Sequence, residues 1–139
     1  MIVISKKSKI CITEDIDFQL DSVDLCRLGI VDLCVGDYAV ITARTLIVND
    51  LGCYSLTCTN DLIVKGTLYF GGDPLDSDYS GEIKVGGDLY VLGGIMDCYN
   101  DIKYWPKDLI NETRDALEDW GIKVSGNIKR YEEEEDYKS

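Results

Sequence analysis

The clearest pattern along the chain is an apolar-polar-apolar triplet, a short corner, and a second triplet. It is most regular in residues 81–94, where Ile83-Lys84-Val85 and Leu89-Tyr90-Val91 flank Gly86-Gly87-Asp88. Alternation with a period of two predicts short strands with one buried face, and Gly, Asn and Asp between them predict tight corners. The chain is therefore predicted to be mainly β. Similar units recur at residues 46–51, 62–72 and 122–129.

The spacing of these units favours a small parallel β-helix (β-solenoid). Ile30, Leu46 and Leu62 stand sixteen residues apart, and the next matching position, Ile83, follows after twenty-one. A repeat of this length suits one turn around a narrow core and is long for a two-strand hairpin. An antiparallel β-sandwich or roll is the alternative. The β-helix is predicted to have about five or six turns. Equivalent positions in neighbouring turns would lie roughly 4.8 Å apart.

This spacing also predicts a register for the inward-facing side chains. The extra residues before Ile83 are predicted to form a loop, residues 73–80, thrown out of one turn. Corner glycines are expected to supply backbone angles that other residues avoid. The inward residues Ile83, Val85, Leu89 and Val91 are expected to lie above Leu62, Val64, Leu68 and Phe70.

One amphipathic helix interrupts the repeat at residues 106–120. Pro106 suits the first helical turn, and Gly121 is a stop signal. The helix is expected to pack as a cap on one side or one open end of the strands. Its apolar stripe comprises Leu109, Ile110, Thr113, Leu117 and Trp120.

The remaining segments are predicted as flanking strands and a tail. Residues 1–12 are predicted to form an edge strand, and Ile16, Phe18 and Leu20 alternate as in another short strand. Residues 122–131 return to strand, so residues 1–131 are predicted to be one domain. The acidic residues 132–139 are predicted to be a flexible tail.

Net charge is the strongest signal in the composition. The 139 residues carry 26 acidic and 14 basic side chains, a formal charge of −12. Direct binding to nucleic acid or to an anionic membrane is disfavoured, because like charges repel. A basic protein surface is the favoured partner.

Localisation is predicted to be cytoplasmic. No apolar run reaches the roughly 18 residues of a membrane span. The apolar residues of the N-terminus precede its lysines, which is the wrong order for a signal peptide. The six cysteines are therefore expected to be reduced and to act as small apolar residues.

No catalytic, metal or cofactor site is predicted. The chain has no histidine, which excludes Ser-His-Asp and Cys-His arrangements and zinc sites of mixed ligation. Asp73, Asp76 and Asp78 are spaced like part of a calcium loop, but the glycine and the final glutamate do not fit. A solvated acidic loop is expected there instead.

The stretch Val85-Gly86-Gly87-Asp88-Leu89-Tyr90-Val91 resembles the glycine-aspartate repeats of bacterial and phage β-solenoids. The bactofilin-like polymer-forming proteins are the nearest named family, and the resemblance covers residues 46–94 and 122–131. It implies a parallel β-helix that stacks end to end without a cofactor. The helix at 106–120 and the acidic tail depart from that family's pattern and put unlimited stacking in doubt.

The acidic charge leads to the first functional hypothesis. A rod with carboxylates stacked along one edge imitates the phosphates of a duplex, so the protein is expected to inhibit a nucleic-acid-binding bacterial protein by occupying its basic surface. Phage anti-defence proteins, including anti-CRISPR proteins, are of this general type. The candidate partner-binding residues are Asp73, Asp76, Asp78, Tyr79, Glu82, Asp88 and Tyr90.

The alternative is a self-associating structural β-solenoid of bactofilin-like type. Its contact would be an open apolar end, with the N-terminal strand Ile2–Ile12 as the expected edge. The two hypotheses differ in an observable way, because only the second requires homo-oligomers.

Overall fold

The protein is mainly β, with three sheets that the chain visits in a repeating order. The computed structural model describes residues 2–4, 9–12, 14, 16–27, 32–36, 39–71, 81–97 and 101–130. The strands are β1 Ile2–Ile4, β2 Lys9–Ile12, β3 Asp17–Gln19, β4 Val23–Asp24, β5 Asp32–Val35, β6 Val40–Ala43, β7 Leu46–Val48, β8 Leu51–Cys53, β9 Ser55–Cys58, β10 Leu62–Val64, β11 Leu68–Phe70, β12 Ile83–Val85, β13 Leu89–Val91, β14 Ile95–Met96, β15 Ile102–Tyr104, β16 Ile122–Val124 and β17 Ile128–Arg130.

The order of strands in the sheets reveals the repeat. The first sheet runs β1-β2-β5-β8-β11-β14-β15, the second β16-β12-β9-β6-β3 and the third β17-β13-β10-β7-β4. The chain thus passes from first to second to third sheet in each of five circuits, namely β2-β3-β4, β5-β6-β7, β8-β9-β10, β11-β12-β13 and β14-β16-β17. Neighbouring circuits pair in parallel, which contradicts the antiparallel alternative.

Both outer strands of the first sheet are antiparallel. One edge strand was predicted over residues 1–12, but the described residues of this range form two strands, β1 and β2, which pair antiparallel with Ile2 opposite Ile12. At the other end β15 pairs antiparallel with β14. These two strands cover the edges of the first sheet, where unpaired backbone groups would otherwise invite another chain.

The core is built from columns of branched side chains that stack in register through the circuits. The strand pattern of buried ends and an outward middle residue follows from the period of two. Burial of each such side chain contributes about 1.5–3 kcal/mol. The columns are Leu33, Leu51, Leu68 and Ile95 in the first sheet, Ile41, Leu56, Ile83 and Ile122 in the second, and Leu46, Leu62, Leu89 and Ile128 in the third.

The predicted inward orientation is confirmed, but the predicted register is wrong. Ile83 stacks on Leu56, and it is Leu89 that stacks on Leu62. The sixteen-residue spacing from Leu46 to Leu62 is one true circuit. The next inward position of the third sheet lies twenty-seven residues on, because residues 71–82 lengthen the connection between β11 and β12. The loop at 73–80, Ile30 and the tail at 132–139 lie outside the described residues.

The predicted helix at 106–120 is shorter and broken. Its parts are a 3-10 turn at Pro106–Asp108, a second at Asn111–Thr113, and α1 at Arg114–Trp120. Leu109 (φ −87°, ψ 84°) and Ile110 (φ −134°, ψ 166°) leave helical geometry. Leu109 is buried against the core while Ile110 is exposed, so packing of Leu109 overrides the helical period.

The end of α1 agrees with the sequence. Gly121 has φ 113° and donates its N–H to the carbonyls of Leu117 and Glu118. Leu117 is fully buried, and the Trp120 ring packs edge-on against Phe70 with centroids 5.1 Å apart. The helical segment is therefore anchored on the core.

Asn111 occupies the place that a sixth circuit would take beside β17. In the fourth circuit the N–H of Leu89 donates to the carbonyl of Asn127 at 2.9 Å. In the fifth circuit the N–H of Ile128 donates instead to Asn111 Oδ1 at 2.8 Å. The Asn111 amide nitrogen also donates to Asn127 Oδ1 at 3.4 Å. One side-chain amide thus substitutes for a backbone peptide group.

Together with Asn111, Arg114 caps the backbone of the fifth circuit, through its guanidinium group. It donates to the carbonyls of Val124 and Gly126. One circuit earlier, the equivalent carbonyls of Val85 and Gly87 accept backbone N–H groups of the fifth circuit. Arg114 therefore supplies donors that a further circuit would otherwise provide.

We expect Asn111→Ala and Arg114→Ala each to lower the free energy of unfolding by about 1–3 kcal/mol, because they leave backbone groups of the last circuit unsatisfied. Urea denaturation measures this. Glu112→Ala, an exposed change on the same segment, is the control. Losses no larger than that of the control would contradict the assignment of a cap.

Most corner glycines are required for space. Gly66, Gly86, Gly87 and Gly126 do not have positive φ, contrary to the sequence expectation; among the described residues only Gly94 and Gly121 do. A Cβ at Gly87 would lie 2.3 Å from Asp61 Oδ1 and 2.8 Å from the Asn60 carbonyl oxygen. The corner of one circuit therefore packs directly on the corner of the next.

Gly87→Ala is expected to lower the free energy of unfolding by about 1–3 kcal/mol through overpacking. Gly52→Ala is the matched control, since a Cβ there meets its nearest neighbours at 3.7 and 3.8 Å. The control is expected to be neutral or slightly stabilising, because alanine restricts the unfolded chain more than glycine does. Equal losses in chemical denaturation would show that corner space is not the constraint.

Candidate functional site

Aspartates at the corners between the second and third sheets tie successive circuits together. Asp61 Oδ1 accepts the backbone N–H of Asp88 at 2.8 Å. Asp88 Oδ1 in turn accepts the N–H of Asn127 at 2.7 Å. Each bond joins a side chain of one circuit to the backbone of the next, so these carboxylates are held in fixed positions.

The corners between the third and first sheets repeat the arrangement. Asp32 Oδ1 accepts the N–H of Asp50 and the side-chain amide of Asn49, both at 3.1 Å. Asp50 Oδ1 accepts the N–H of Thr67 at 2.9 Å. Hydrogen bonds to an ionised acceptor are among the stronger ones in proteins, and they order the carboxylates here.

Three of these carboxylates use only one of their two oxygens in the corner bonds. Within the described part of the chain, Oδ2 of Asp32, Asp50 and Asp61 has no hydrogen-bond or ion-pair partner. The charge of each group therefore remains available at a position that its Oδ1 bond fixes.

The predicted site residues divide into three groups, namely those outside the described residues, Glu82 by itself, and Asp88 with Tyr90. Asp73, Asp76, Asp78 and Tyr79 lie outside the described residues. Glu82, Asp88 and Tyr90 are described, but Glu82 and Asp88 flank opposite ends of β12.

Glu82 is already paired with two lysines. Its carboxylate lies 3.2 Å from Lys84 Nζ and 3.4 Å from Lys123 Nζ. Partial burial acts to raise the pKa of Glu82, but the hydrogen bonds and charges of Lys84 and Lys123 outweigh it and hold that pKa below its ordinary value. Lys84 and Lys123 are register neighbours on the outer face of the second sheet, so Glu82 separates two like charges.

Asp88 and Tyr90 do lie together. The Tyr90 hydroxyl donates to Asp88 Oδ2 at 3.1 Å, so both oxygens of Asp88 are engaged. The Lys129 ammonium lies 5.8 Å from the centroid of the Tyr90 ring. Asp88 therefore has a structural role, and Tyr90 is part of a local polar cluster.

A cleft of about 370 Å³ opens on the outer face of the first sheet. Its floor follows the outward residues of successive strands, where Cys34, Gly52 and Tyr69 are register neighbours. The charged lining residues are Lys9, Asp32, Asp50 and Asp97. The other lining residues are Leu33, Cys34, Val35, Gly52, Cys53, Tyr54, Tyr69, Phe70 and Gly71.

Asp97 is the most buried of the carboxylates that line the cleft, at 7% exposure. Its Oδ1 accepts the N–H of Asp101 at 2.9 Å, and its Oδ2 lies 3.8 Å from Lys103 Nζ. This carboxylate is thus held by the Asp101 amide and by Lys103.

The cysteines only partly follow the expectation of buried apolar residues. Cys53 and Cys58 are buried in the core, whereas Cys34 is exposed at the cleft. Burial raises the pKa of the Cys58 thiol to about 12, and burial also raises the pKa of Cys53. Both core thiols therefore stay protonated at neutral pH. Cys98 lies outside the described residues.

Sequence reasoning missed Asp32, Asp50, Asp61 and Asp97. A usable signal was present for the first three, because an Asp-Leu pair recurs where a corner ends and a strand begins. Four of the six Asp-Leu pairs in the sequence lie at such corners, namely Asp32-Leu33, Asp50-Leu51, Asp61-Leu62 and Asp88-Leu89. Asp97 has no such signal, because it follows β14 and begins the segment that leaves the repeat before β16.

No group of three or more metal-ligating side chains is assembled in the described ranges. Among these residues there is also no helix with the length and apolar character needed to cross a membrane. Comparison of the chain with protein-family models, with curated proteins and with solved structures gave no match. The resemblance to bactofilin-like proteins therefore stays a prediction.

The structural role of Asp88 can be tested with two substitutions. Asp88→Ala removes the acceptor of Asn127 N–H and is expected to cost about 1–2 kcal/mol of stability. Asp88→Asn keeps an oxygen that can accept this bond and is expected to lose less. Thermal and urea denaturation compare the two, and equal losses would count against the corner bond.

Proposed function

We propose that this protein is a non-catalytic acidic binding protein that occupies the basic surface of a nucleic-acid-binding protein. We further propose that its five circuits form a small parallel β-helix that displays the acidic groups. The observation that carries the proposal is the set of corner carboxylates, Asp32, Asp50 and Asp61, each fixed through Oδ1 and open at Oδ2.

Fixed charges suit this role because little order has to be created on binding. A carboxylate that the backbone already orients loses less side-chain entropy than a free surface acid. Parallel circuits repeat about every 4.8 Å, and phosphates of one DNA strand repeat about every 3.4 Å along the axis. The corners of Asp32 and Asp50 therefore supply a coarse imitation of phosphate spacing.

The exposed acids of the helical segment supply a second, less ordered source of charge. Glu112, Asp115, Glu118 and Asp119 are exposed. With the net charge of −12, they favour fast electrostatic association with a basic partner. They also offer a control set, because they carry charge without the fixed geometry of the corners.

Self-association is the second candidate. It is favoured because β3 and β4 are edge strands of the second and third sheets at the N-terminal end, where a second copy could pair. The other end is less suited to stacking, since Asn111 and Arg114 already bond β16, β17 and the corner between them. This cap favours the binding function over open-ended assembly.

The test is a pull-down from bacterial lysate at low and high salt, with sizing of the free protein. We expect a basic partner that is retained at low salt and displaced by duplex DNA. Asp32→Asn, Asp50→Asn and Asp61→Asn combined should abolish capture, since the asparagines keep the Oδ1 acceptors but remove three charges.

The matched control is Asp115→Asn, Glu118→Gln and Asp119→Asn combined, which removes the same charge from α1. This control is expected to retain the partner with at most a modest loss. Equal loss in both triple variants would contradict a role for the fixed corner carboxylates. Large oligomers with no captured partner would favour self-association instead.

A further inference from the structure

Gly52 is a strand glycine that the fold does not require. It stands in the middle of β8, where its φ is not positive. A Cβ built on it would meet Cys34 Sγ at 3.7 Å and Tyr69 Cβ at 3.8 Å, which are ordinary contacts. The other glycines whose surroundings are described either have positive φ or would bring a Cβ within 3.0 Å of a neighbour. Glycine weakens a strand interior, so Gly52 calls for another explanation.

Gly52 lines the cleft on the first sheet, at a position where the column of outward side chains is interrupted. The outward column runs Cys11, Cys34, Gly52, Tyr69 and Met96 in register. A side chain stands on either side of Gly52, and none fills the position between them. The cleft of about 370 Å³ exceeds what a few waters need and suits a side-chain-sized group.

The lining of the cleft sets the charge of its ligand. Asp32, Asp50 and Asp97 line the cleft together with Lys9, and Lys103 Nζ lies 3.8 Å from Asp97 Oδ2, so three carboxylates face two cations. Oδ2 of Asp32 and of Asp50 remain open on adjacent circuits. A cation is therefore the favoured occupant.

The aromatic walls narrow the choice of cation. The Tyr54 ring lies against Gly71 so closely that a Cβ there would be 2.5 Å from Tyr54 Cζ, and this contact positions the ring. Tyr69 borders the gap directly. A guanidinium is planar, stacks on aromatic rings and binds carboxylates through paired N–H groups, whereas an ammonium is a compact and strongly hydrated charge.

We propose that the cleft over Gly52 is a binding site for a guanidinium group, namely the side chain of an arginine on a partner protein. This goes further than the proposed function because it names the group recognised and can be tested without the partner. Asp32 and Asp50 bind the two edges of the guanidinium, and Tyr54 and Tyr69 contact its face.

The experiment is a titration of the 139-residue protein with n-propylguanidinium chloride, followed by ¹H–¹⁵N NMR at constant ionic strength. We expect saturable shifts of the Gly52 and Tyr69 amide signals. Gly52→Val fills the cleft and should abolish them. Asp50→Asn keeps the corner hydrogen bond and should weaken binding about tenfold, the loss of one charged contact.

Two further variants keep the test decisive. Gly52→Ala adds one carbon at ordinary contact distance, so it reports on cleft volume even if the valine variant folds poorly. Thr57→Val changes an outward residue of the second sheet and should bind as the unchanged protein does. n-Propylammonium chloride separates the two cation types and should bind at least tenfold more weakly.

Three results would overturn the inference. They are the absence of saturable guanidinium binding, unchanged binding by both Gly52 variants, and equal binding of the ammonium probe. The outcome is distinguishable from failure of the proposed function. If Gly52→Val captures the partner as well as the unchanged protein does, the guanidinium site is refuted and the proposed function stands. If guanidinium binds but no basic partner is captured, the proposed function is refuted and the guanidinium site stands.

Discussion

The structure depends on a bond between the corner of one circuit and the backbone of the next. An aspartate Oδ1 accepts an N–H from the following corner, and the same approach leaves no room for a side chain beside it. Asp50 faces Gly66, Asp61 faces Gly87 and Asp88 faces Gly126, with a hypothetical Cβ 2.1–2.3 Å from the carboxylate in each case. Aspartate and glycine are thus required together, one circuit apart.

This constraint also explains why the stack has a defined end. Asp88 Oδ1 accepts the N–H of Asn127, but Asn127 has a side-chain amide where the earlier corners have a carboxylate. Its Oδ1 accepts from the Asn111 side chain, where a sixth circuit would otherwise supply a backbone N–H. Asn111 and Arg114 complete the remaining backbone bonds. A parallel stack would otherwise expose a row of unpaired groups, which is the usual route to uncontrolled association.

The same corner bonds divide the acids into two roles. Asp88 uses both oxygens within the fold, and its role as a contact residue stays a prediction. Asp32 and Asp50 each use one oxygen in the corner bonds, and both residues line the cleft that Gly52 also lines. The side chains that order the corners are therefore the same ones that present negative charge in fixed positions.

The local pattern was readable from sequence, whereas long-range placement was not. The triplets around Lys84 and Tyr90 gave strands with the correct faces, because alternation is a local consequence of burial. The predicted register was wrong because the corners of one circuit have similar sequences. Ile83 could therefore be aligned with Leu62 as readily as with Leu56. The cleft could not be predicted, since Gly52 resembles any corner glycine until its neighbours in space are known.

The central claim is that carboxylate-to-amide bonds at the corners hold the circuits together. Native-state hydrogen exchange of the Asp88 and Asn127 amides, followed by NMR, tests it most directly. The account predicts that both amides exchange only through global unfolding, with protection equal to that of the core strands. Exchange as fast as that of the amide of Asp115, an exposed residue in the first turn of α1, would contradict it.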